Sequence, residues 1–183
     1  GTTTVFSLFT SVRGHPLLRR LCLLGDMGDV AGLETFLLSD TSKITVLHID
    51  TLYCSDLPIT GLTPVLQALR RRPTLTKVGV ISCPLGRYEA RLLRMALRNM
   101  PSLQSLILVD NGLGSAGLAE LAPALYHNTS IKVLDLSWNR LQAMEAAEML
   151  RDILRSNKTM TALHVSGNRF GQTTGAVDCI ADG

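Results

Sequence analysis

Two histidines and two aspartates are the residues of this chain whose types could support chemistry at a shared site. A pair of histidines could hold a metal ion, and a pair of carboxylates could act as general acid and base. His48 and His164 form one such pair, and Asp50 and Asp135 form the other. The sequence contains no G-x-x-x-x-G-K-[ST] phosphate loop, no HExxH zinc motif and no G-x-S-x-G nucleophile motif. Whether either pair can work depends on the elements that carry it.

The composition is typical of a globular protein. Hydrophobic residues make up 46% and charged residues 18% of the 183 residues, and the formal net charge of +3 is too small to indicate a nucleic-acid binder. The four cysteines form no CxxC pair, so neither a zinc site nor thioredoxin-type redox chemistry is indicated. No apolar run approaches the roughly 20 residues that span a bilayer. We therefore expect a cytoplasmic protein that binds no cofactor and does not associate with a membrane.

An internal repeat organises the chain. Residues 103–113 read L-x-x-L-x-L-x-x-N-x-L, and we number these motif positions 1 to 11. The pattern returns from residues 131 and 160, and it occurs earlier from residue 75, where Cys83 replaces asparagine at position 9. Two weaker copies start at residues 44 and 18. A regular spacing of this kind indicates a repeat architecture.

Each repeat is predicted to form one strand and one helix. Apolar residues at positions 4 and 6 alternate with others, which predicts a short strand whose leucines point into the protein. The position 9 asparagine can bond backbone groups of its own turn and of neighbouring turns. Downstream residues such as Leu118, Leu121 and Leu125 have the spacing of an amphipathic helix. We expect a single domain over residues 1–183, cut at both ends of the array, with strands near residues 19–23, 45–49, 76–80, 104–108, 132–136 and 161–165.

The pattern resembles the ribonuclease-inhibitor-type leucine-rich repeat, strongly over residues 75–170 and loosely over residues 18–57. The resemblance implies an α/β fold, a curved right-handed solenoid with a parallel β-sheet on the concave face and α-helices on the convex face. Similar arrays occur in a GTPase-activating protein for Ran, in NOD-like immune receptors and in ciliary regulatory subunits. The architecture alone therefore does not define a function.

These elements keep the candidate chemical pairs apart. His48 and His164 lie on the second and sixth predicted strands, so four strand spacings separate them by roughly 19 Å, too far to share a metal ion. Asp50 and Asp135 lie three strands apart, roughly 14 Å, too far for a carboxylate dyad. We therefore expect no catalytic site and no metal site, and the chain is predicted not to be an enzyme.

Residues at positions 3, 5 and 7 are expected to face outwards on the concave sheet, where a partner could bind. Several of them are apolar, and Gly79 is expected to leave a gap beside them. Trp138 at position 8 is expected at the rim, either as a binding anchor or packed on the neighbouring turn beside Asp110. Strand propensity is the competing explanation for the exposed valines and isoleucines. The predicted partner-binding residues are Leu24, His48, Ile81, Ile107, Val109, Asp135, Trp138 and His164.

Basic residues are concentrated between residues 62 and 102, where seven arginines and one lysine occur and Glu89 is the single acidic residue. Four of them have the spacing of one helix stripe on the convex side, next to a cluster formed by Arg70, Arg71 and Arg72. An ordinary solvated helix face is the competing explanation. The alternative basic binding patch consists of Arg71, Arg87, Arg91, Arg94 and Arg98.

Three functional hypotheses follow. The first is a protein-protein interaction module, within a longer chain or larger complex, that uses the concave sheet and its rim. The second is a structural subunit of a cytoskeletal, ciliary or nucleoprotein assembly, docked through the basic convex helices. The third is the sensing or autoinhibitory region of a receptor-like protein, or a GTPase-activating-type array. In each case the partner is a protein, and nucleic acid is disfavoured because Tyr88 is the only aromatic residue among the arginines.

Overall fold

The computed structural model of the protein describes residues 9, 11–12, 14–25, 30–40, 42–51, 61–172 and 175–181. Strands and helices alternate along these residues. The strands are β1 (Arg20–Leu24), β2 (Val46–Asp50), β3 (Lys77–Ile81), β4 (Ser105–Val109), β5 (Val133–Asp135) and β6 (Ala162–His164). The helices are α1 (Val30–Leu38), α2 (Thr63–Leu69), α3 (Arg87–Leu97), α4 (Gly114–Tyr126), α5 (Ala143–Ser156) and α6 (Ala176–Ala181), and a 3₁₀ turn at Phe170–Gln172 precedes α6.

The six strands form one parallel sheet in chain order, β1 to β6. Each strand pairs with the next so that equal motif positions lie side by side, as in the partners Leu47 and Val78, or Leu106 and Leu134. Each strand begins one residue after the predicted start. Each successive helix packs against the one before it, which gives a leucine-rich-repeat solenoid with the sheet on one side and the helices on the other. The predicted α/β solenoid fold is therefore confirmed.

The core is aliphatic and continuous along the array. Motif positions 1, 4, 6 and 11 are buried in the central repeats, as Leu103, Leu106, Leu108 and Leu113 show. The helices add their apolar faces, including Leu118 of α4, which is fully buried. Because the strand of one repeat and the helix of the next share this core, no repeat can bury its apolar side chains alone.

The asparagines at position 9 join each turn to the turn of the preceding repeat. The side-chain oxygen of Asn139 accepts hydrogen bonds from the backbone N–H groups of Asn111 (3.2 Å) and Leu113 (3.3 Å). Its amide nitrogen donates to the carbonyls of Leu108 and Ser137. Asn168 repeats the arrangement one unit later, accepting from Asn139 and Leu141 at 3.0 Å. These bonds satisfy backbone groups that neither the sheet nor the helices can pair.

Cys83 replaces asparagine in this row and closes it differently. Its backbone N–H still donates to the side chain of Asn111 (2.9 Å), but its thiol donates to the carbonyl of Ile81 (3.2 Å). The hydroxyl of Thr51, in the preceding repeat, donates to the carbonyl of Ser82 (2.6 Å) and lies 3.4 Å from the Cys83 sulfur. The hydroxyl of Thr51 and the thiol of Cys83 thus make hydrogen bonds in this turn in place of an asparagine side-chain amide. Burial raises the pKa of the Cys83 thiol, and the hydrogen bond with Thr51 partly opposes this.

Arg72 corrects one expectation from the sequence, because it does not belong to the exposed basic cluster. Only 7% of the residue is exposed. Its guanidinium donates to four backbone carbonyls in the last turn of α1 and just after it, those of Phe36, Leu37, Ser39 and Ser42. Burial lowers the pKa of Arg72, and the nearby Asp40 partly opposes that shift. The side chain therefore completes the C-terminal end of the preceding helix, whose last carbonyls have no partner within the helix.

We predict that Asn139→Ala lowers the free energy of unfolding by about 3 kcal/mol, because it leaves buried N–H and C=O groups without partners. We expect a smaller loss of unfolding free energy for the equivalent substitution Asn168→Ala, because Asn168 is only half-buried and water can reach the backbone groups that lose their partner. Urea unfolding followed by circular dichroism measures both. Equal losses for the two variants would contradict the role assigned to burial.

We predict that stability falls as the pH rises above about 8.5, the ordinary pKa of a thiol. The folded pKa of Cys83 is raised, so its contribution is complete below the unfolded pKa and is lost as the pH rises towards the folded pKa. In Cys83→Ser the hydroxyl keeps the hydrogen-bonding pattern but does not ionise. The difference in unfolding free energy between the wild-type chain and this variant, measured from pH 7.5 to 9.5, should change with pH, and a constant difference would contradict the assignment.

Candidate functional site

Strand register places the outward positions of all six strands in rows on the concave face. The position 5 row runs through direct register partners, namely Cys22, His48, Gly79, Ile107, Asp135 and His164. His48 and His164 thus lie four strands apart, as expected from the sequence. Among the described residues, no group of three or more His, Cys, Asp or Glu side chains could hold a metal ion. No described helix is long and apolar enough to cross a membrane.

An apolar strip lies in the middle of the concave face. Ile81 of β3 pairs with Val109 of β4, and Gly79 pairs with Ile107 in the same two strands. Ile81, Ile107 and Val109 are each half-buried, so part of each side chain remains available for contact. Leu24 is 74% exposed, but Asp50 of β2 lies between it and Ile81 in the position 7 row. The structure therefore brings three of the predicted apolar residues together and sets Leu24 apart at the end of β1.

The gap expected at Gly79 is filled, so that part of the sequence interpretation is wrong. A Cβ atom built on Gly79 would lie 2.5 Å from Nδ1 of His48, which means that the imidazole occupies the space above the glycine. His48 is half-buried there and borders the apolar strip. Asp135 is half-buried on β5, whereas His164 is exposed on β6, at the far end of the sheet.

The rim begins at position 8, where the backbone leaves the sheet in a left-handed conformation. Gly25, Ser82, Asp110, Trp138 and Gly167 all have positive φ there, between 53° and 87°. The N–H groups of the first four donate to the position 7 carbonyl of the next repeat, as Trp138 does to Ser166 at 2.8 Å. The rim is thus a continuation of the sheet ladder with a fixed backbone. The glycines at two of these positions are the sequence signal for this conformation.

Trp138 is the bulky aromatic residue among the left-handed residues at position 8. It has φ +61°, and 61% of its surface is exposed. Its indole lies over Gly167, the equivalent residue of the next repeat, where an added Cβ atom would clash with the ring. The sequence offered packing on a neighbouring turn as the alternative to a binding anchor, and the ring does pack on a neighbouring turn, that of Gly167. Trp138 is the single tryptophan of the chain, so its fluorescence reports on this site alone.

A cleft of mixed polar and apolar lining, which the sequence analysis missed, adjoins the rim. Its volume is about 330 Å³, and Ser82, Asp110 and Arg140 line it beside Leu85. The Ser82 hydroxyl lies 3.2 Å from a carboxylate oxygen of Asp110 and donates to it. Arg140, like Trp138, stands in the turn after β5 and has a positive φ of 58°. The arrangement offers one carboxylate and one guanidinium for hydrogen bonds close to an exposed aromatic residue.

The convex arginines do not form one uniform patch. Arg87 Nε lies 2.9 Å from Glu120 Oε1, and Arg94 Nη1 lies 3.3 Å from Glu120 Oε2, both contacts joining α3 to α4. The hydrogen bond from Arg87, with the charges of Arg87, Arg94 and Arg91, lowers the pKa of Glu120. Arg71 and Arg98 are exposed at the ends of α2 and α3. Only part of the predicted basic patch is therefore available to a partner.

The comparisons with known proteins agree with this geometry. The family described as Leucine Rich repeat matches residues 99–122, 127–143 and 156–173. Ribonuclease inhibitor from Sus scrofa is 35% identical over 115 residues, which cover 61% of this chain and 25% of that protein. Tonsoku-like protein from Bos taurus is 34% identical over 113 residues, 60% of this chain and 8% of that protein. Protein NLRC5 from Mus musculus is 28% identical over 110 residues, 60% of this chain and 6% of that protein.

These matches and the sheet topology define the class of the protein. The chain is a leucine-rich-repeat protein of the ribonuclease-inhibitor type. The matched region spans a quarter of the ribonuclease inhibitor and less than a tenth of the other two relatives.

We predict that Gly167→Ala displaces the indole of Trp138 and costs about 1–2 kcal/mol of stability, because the new methyl group meets the ring and φ is positive. Gly112→Ala is the matched control, since φ is +64° there and nothing lies within 4 Å of the added Cβ. Tryptophan emission should shift in Gly167→Ala and remain unchanged in Gly112→Ala. An unchanged spectrum in both variants would contradict the stacking of Trp138 on Gly167.

Proposed function

We propose that this chain is a protein-interaction module that holds a protein partner on its concave apolar strip and on the adjoining rim, with Trp138 as the anchor. The observation that carries the proposal is the state of Trp138, a bulky residue held in a left-handed backbone and left 61% exposed. Strained conformations persist where the surrounding structure enforces them, and they concentrate at functional sites. An exposed tryptophan is also the residue type most enriched among interface hot spots.

The surroundings of Trp138 support this use. A protein interface typically has an apolar centre, a polar border and aromatic anchors. Here Ile81, Ile107 and Val109 supply apolar surface, and Asp110 with Arg140 supplies hydrogen-bonding groups at the rim. The anchor is preorganised because the backbone N–H of Trp138 is bonded to the next repeat and its ring rests on Gly167. Less conformational freedom is then lost when the partner binds.

The relatives support a binding role without catalysis. The pig relative is by its name an inhibitor of an enzyme, and inhibition of that kind requires holding another protein. His48 lies four strands from His164, and Asp50 lies three strands from Asp135, so neither pair can share a metal ion or form a carboxylate dyad. Cys22 and Cys83 are free thiols, and the first is exposed, which suits a reducing, cytoplasmic environment.

Site-specific photo-cross-linking identifies the face that meets the partner. A photoreactive residue is introduced at Ile107 on the concave strip, and in a separate variant at Tyr88, which is exposed on α3. We expect the partner, purified with the full-length protein, to be linked from position 107 and not from position 88. Linking from position 88 alone would overturn the proposal in favour of a structural subunit docked through its helices.

We predict that Trp138→Gly weakens binding of that partner at least about tenfold, or ~1.4 kcal/mol, while stability stays within about 1 kcal/mol of the wild type. Glycine adopts positive φ without cost, and the indole is mostly exposed, so little folding energy is lost with it. Ser82→Gly is the matched control, because it makes the same change at the same turn position, φ +53°, without removing an aromatic ring. Calorimetric titration and thermal melts separate the two effects, and unchanged affinity in Trp138→Gly would show that Trp138 is not the anchor.

A further inference from the structure

A second surface of different chemistry lies on the helix side, at the C-terminal ends of α2 and α3. A groove of about 350 Å³ opens there, and its walls are Gln67, Arg70, Arg71 and Asn99. We call these four residues the α2–α3 groove. Two guanidinium groups and two side-chain amides thus border a space that a short extended segment could enter.

Arg70 and Arg71 differ from several other arginines of the same region. Arg72 donates to carbonyls at the end of α1 and just after it. Arg87 and Arg94 are paired with Glu120 of α4. In the described part of the chain, the side chains of Arg70 and Arg71 make neither a hydrogen bond nor an ion pair with a carboxylate. Two positive charges without a paired carboxylate therefore lie side by side at the groove.

Stabilisation of helix ends does not account for all of this charge. A cation near a helix C-terminus interacts favourably with the helix dipole, and Arg70 and Arg98 occupy the C-terminal cap positions of α2 and α3. A single cation is enough for that interaction, yet Arg71 adds a second guanidinium to the end of α2. Gln67 also brings an uncharged amide to the same walls, whereas the amide of Asn99 donates to the carbonyl of Met95 in the last turn of α3.

We propose that the α2–α3 groove binds an extended acidic peptide segment, rich in glutamate or aspartate, of another protein. Guanidinium groups form paired, planar hydrogen bonds with carboxylates, which suits them to that side chain. Side-chain amides present both a donor and an acceptor, as a peptide backbone does, so Gln67 and Asn99 match the main chain of such a segment. This second contact is independent of the concave face and is separable from it by mutation.

Nucleic acid fits the groove less well. No aromatic side chain lines it, so bases would have no stacking surface. Acidic residues also stand further along the helix side, including Glu145 and Glu148 of α5. A long polyanion that follows the helices would therefore meet repulsion.

Fluorescence anisotropy with a labelled decaglutamate peptide tests the proposal. We expect binding at low ionic strength that weakens as salt is added, because exposed charges are screened. The double charge reversal Arg70→Glu and Arg71→Glu should weaken binding of the peptide at least tenfold. The matched control is Lys43→Glu with Lys132→Glu, which changes the net charge by the same amount at two exposed lysines away from the groove. The control should retain binding, and circular dichroism establishes that both double variants are folded.

Every other result overturns the proposal. Equal loss in the two double variants would mean that the peptide senses net charge only. Unchanged peptide binding with a lower melting temperature in the Arg70 and Arg71 variant would mean that these arginines serve the end of α2. Tighter binding of a decathymidylate, abolished by the same reversal, would assign the groove to nucleic acid. None of these results changes the outcome of the Trp138→Gly experiment, which tests binding at the concave face and its rim.

Discussion

The buried turn after each strand is the constraint on which the rest of this structure depends. At that turn the chain leaves a parallel sheet and enters a helix, so its N–H groups have no partner in either element, and burying them unpaired would cost roughly 1–3 kcal/mol each. The side chain at position 9 of the next repeat provides the partner, as Asn139 does for Asn111 and Leu113. One repeat is therefore complete only when its neighbour is folded, and the turns become as regular as the strands.

That regularity explains how the rim can carry a strained residue. Because the N–H of Trp138 continues the sheet ladder and Asn139 fixes the next residue, the backbone at position 8 has no freedom to relax. Serine and aspartate occupy the equivalent left-handed position in the two preceding repeats, and glycine occupies it in the next one. The absence of a side chain at Gly167 gives the indole a flat place to lie. The left-handed backbone of Trp138 and the glycine at the equivalent position of the next repeat thus both contribute to the position of the indole.

The sequence predicted both ends of each strand to within one residue, because the leucine spacing of each repeat must match the register of the neighbouring strands. It could not predict contacts that depend on how far a long side chain reaches. Arg72 looked like a member of a surface cluster, yet it crosses to the carbonyls of the preceding repeat. His48 looked like an open sheet residue beside a gap, yet it fills the space over Gly79. Helix spacing placed Arg87 and Arg94 on one stripe, but their pairing with Glu120 depends on the neighbouring helix.

The two faces of the solenoid consequently offer different kinds of interaction. On the sheet side, neighbouring strands are so close that outward side chains pack on one another, which leaves a half-buried apolar strip with little free charge. On the helix side, side chains are longer and spaced more widely, so ion pairs form where a neighbouring helix supplies the opposite charge, as Glu120 does. Where it does not, as for Arg71 at the end of α2, the guanidinium stays exposed to solvent. A contact on the concave face should therefore depend little on salt, whereas a contact at the groove should depend on it strongly.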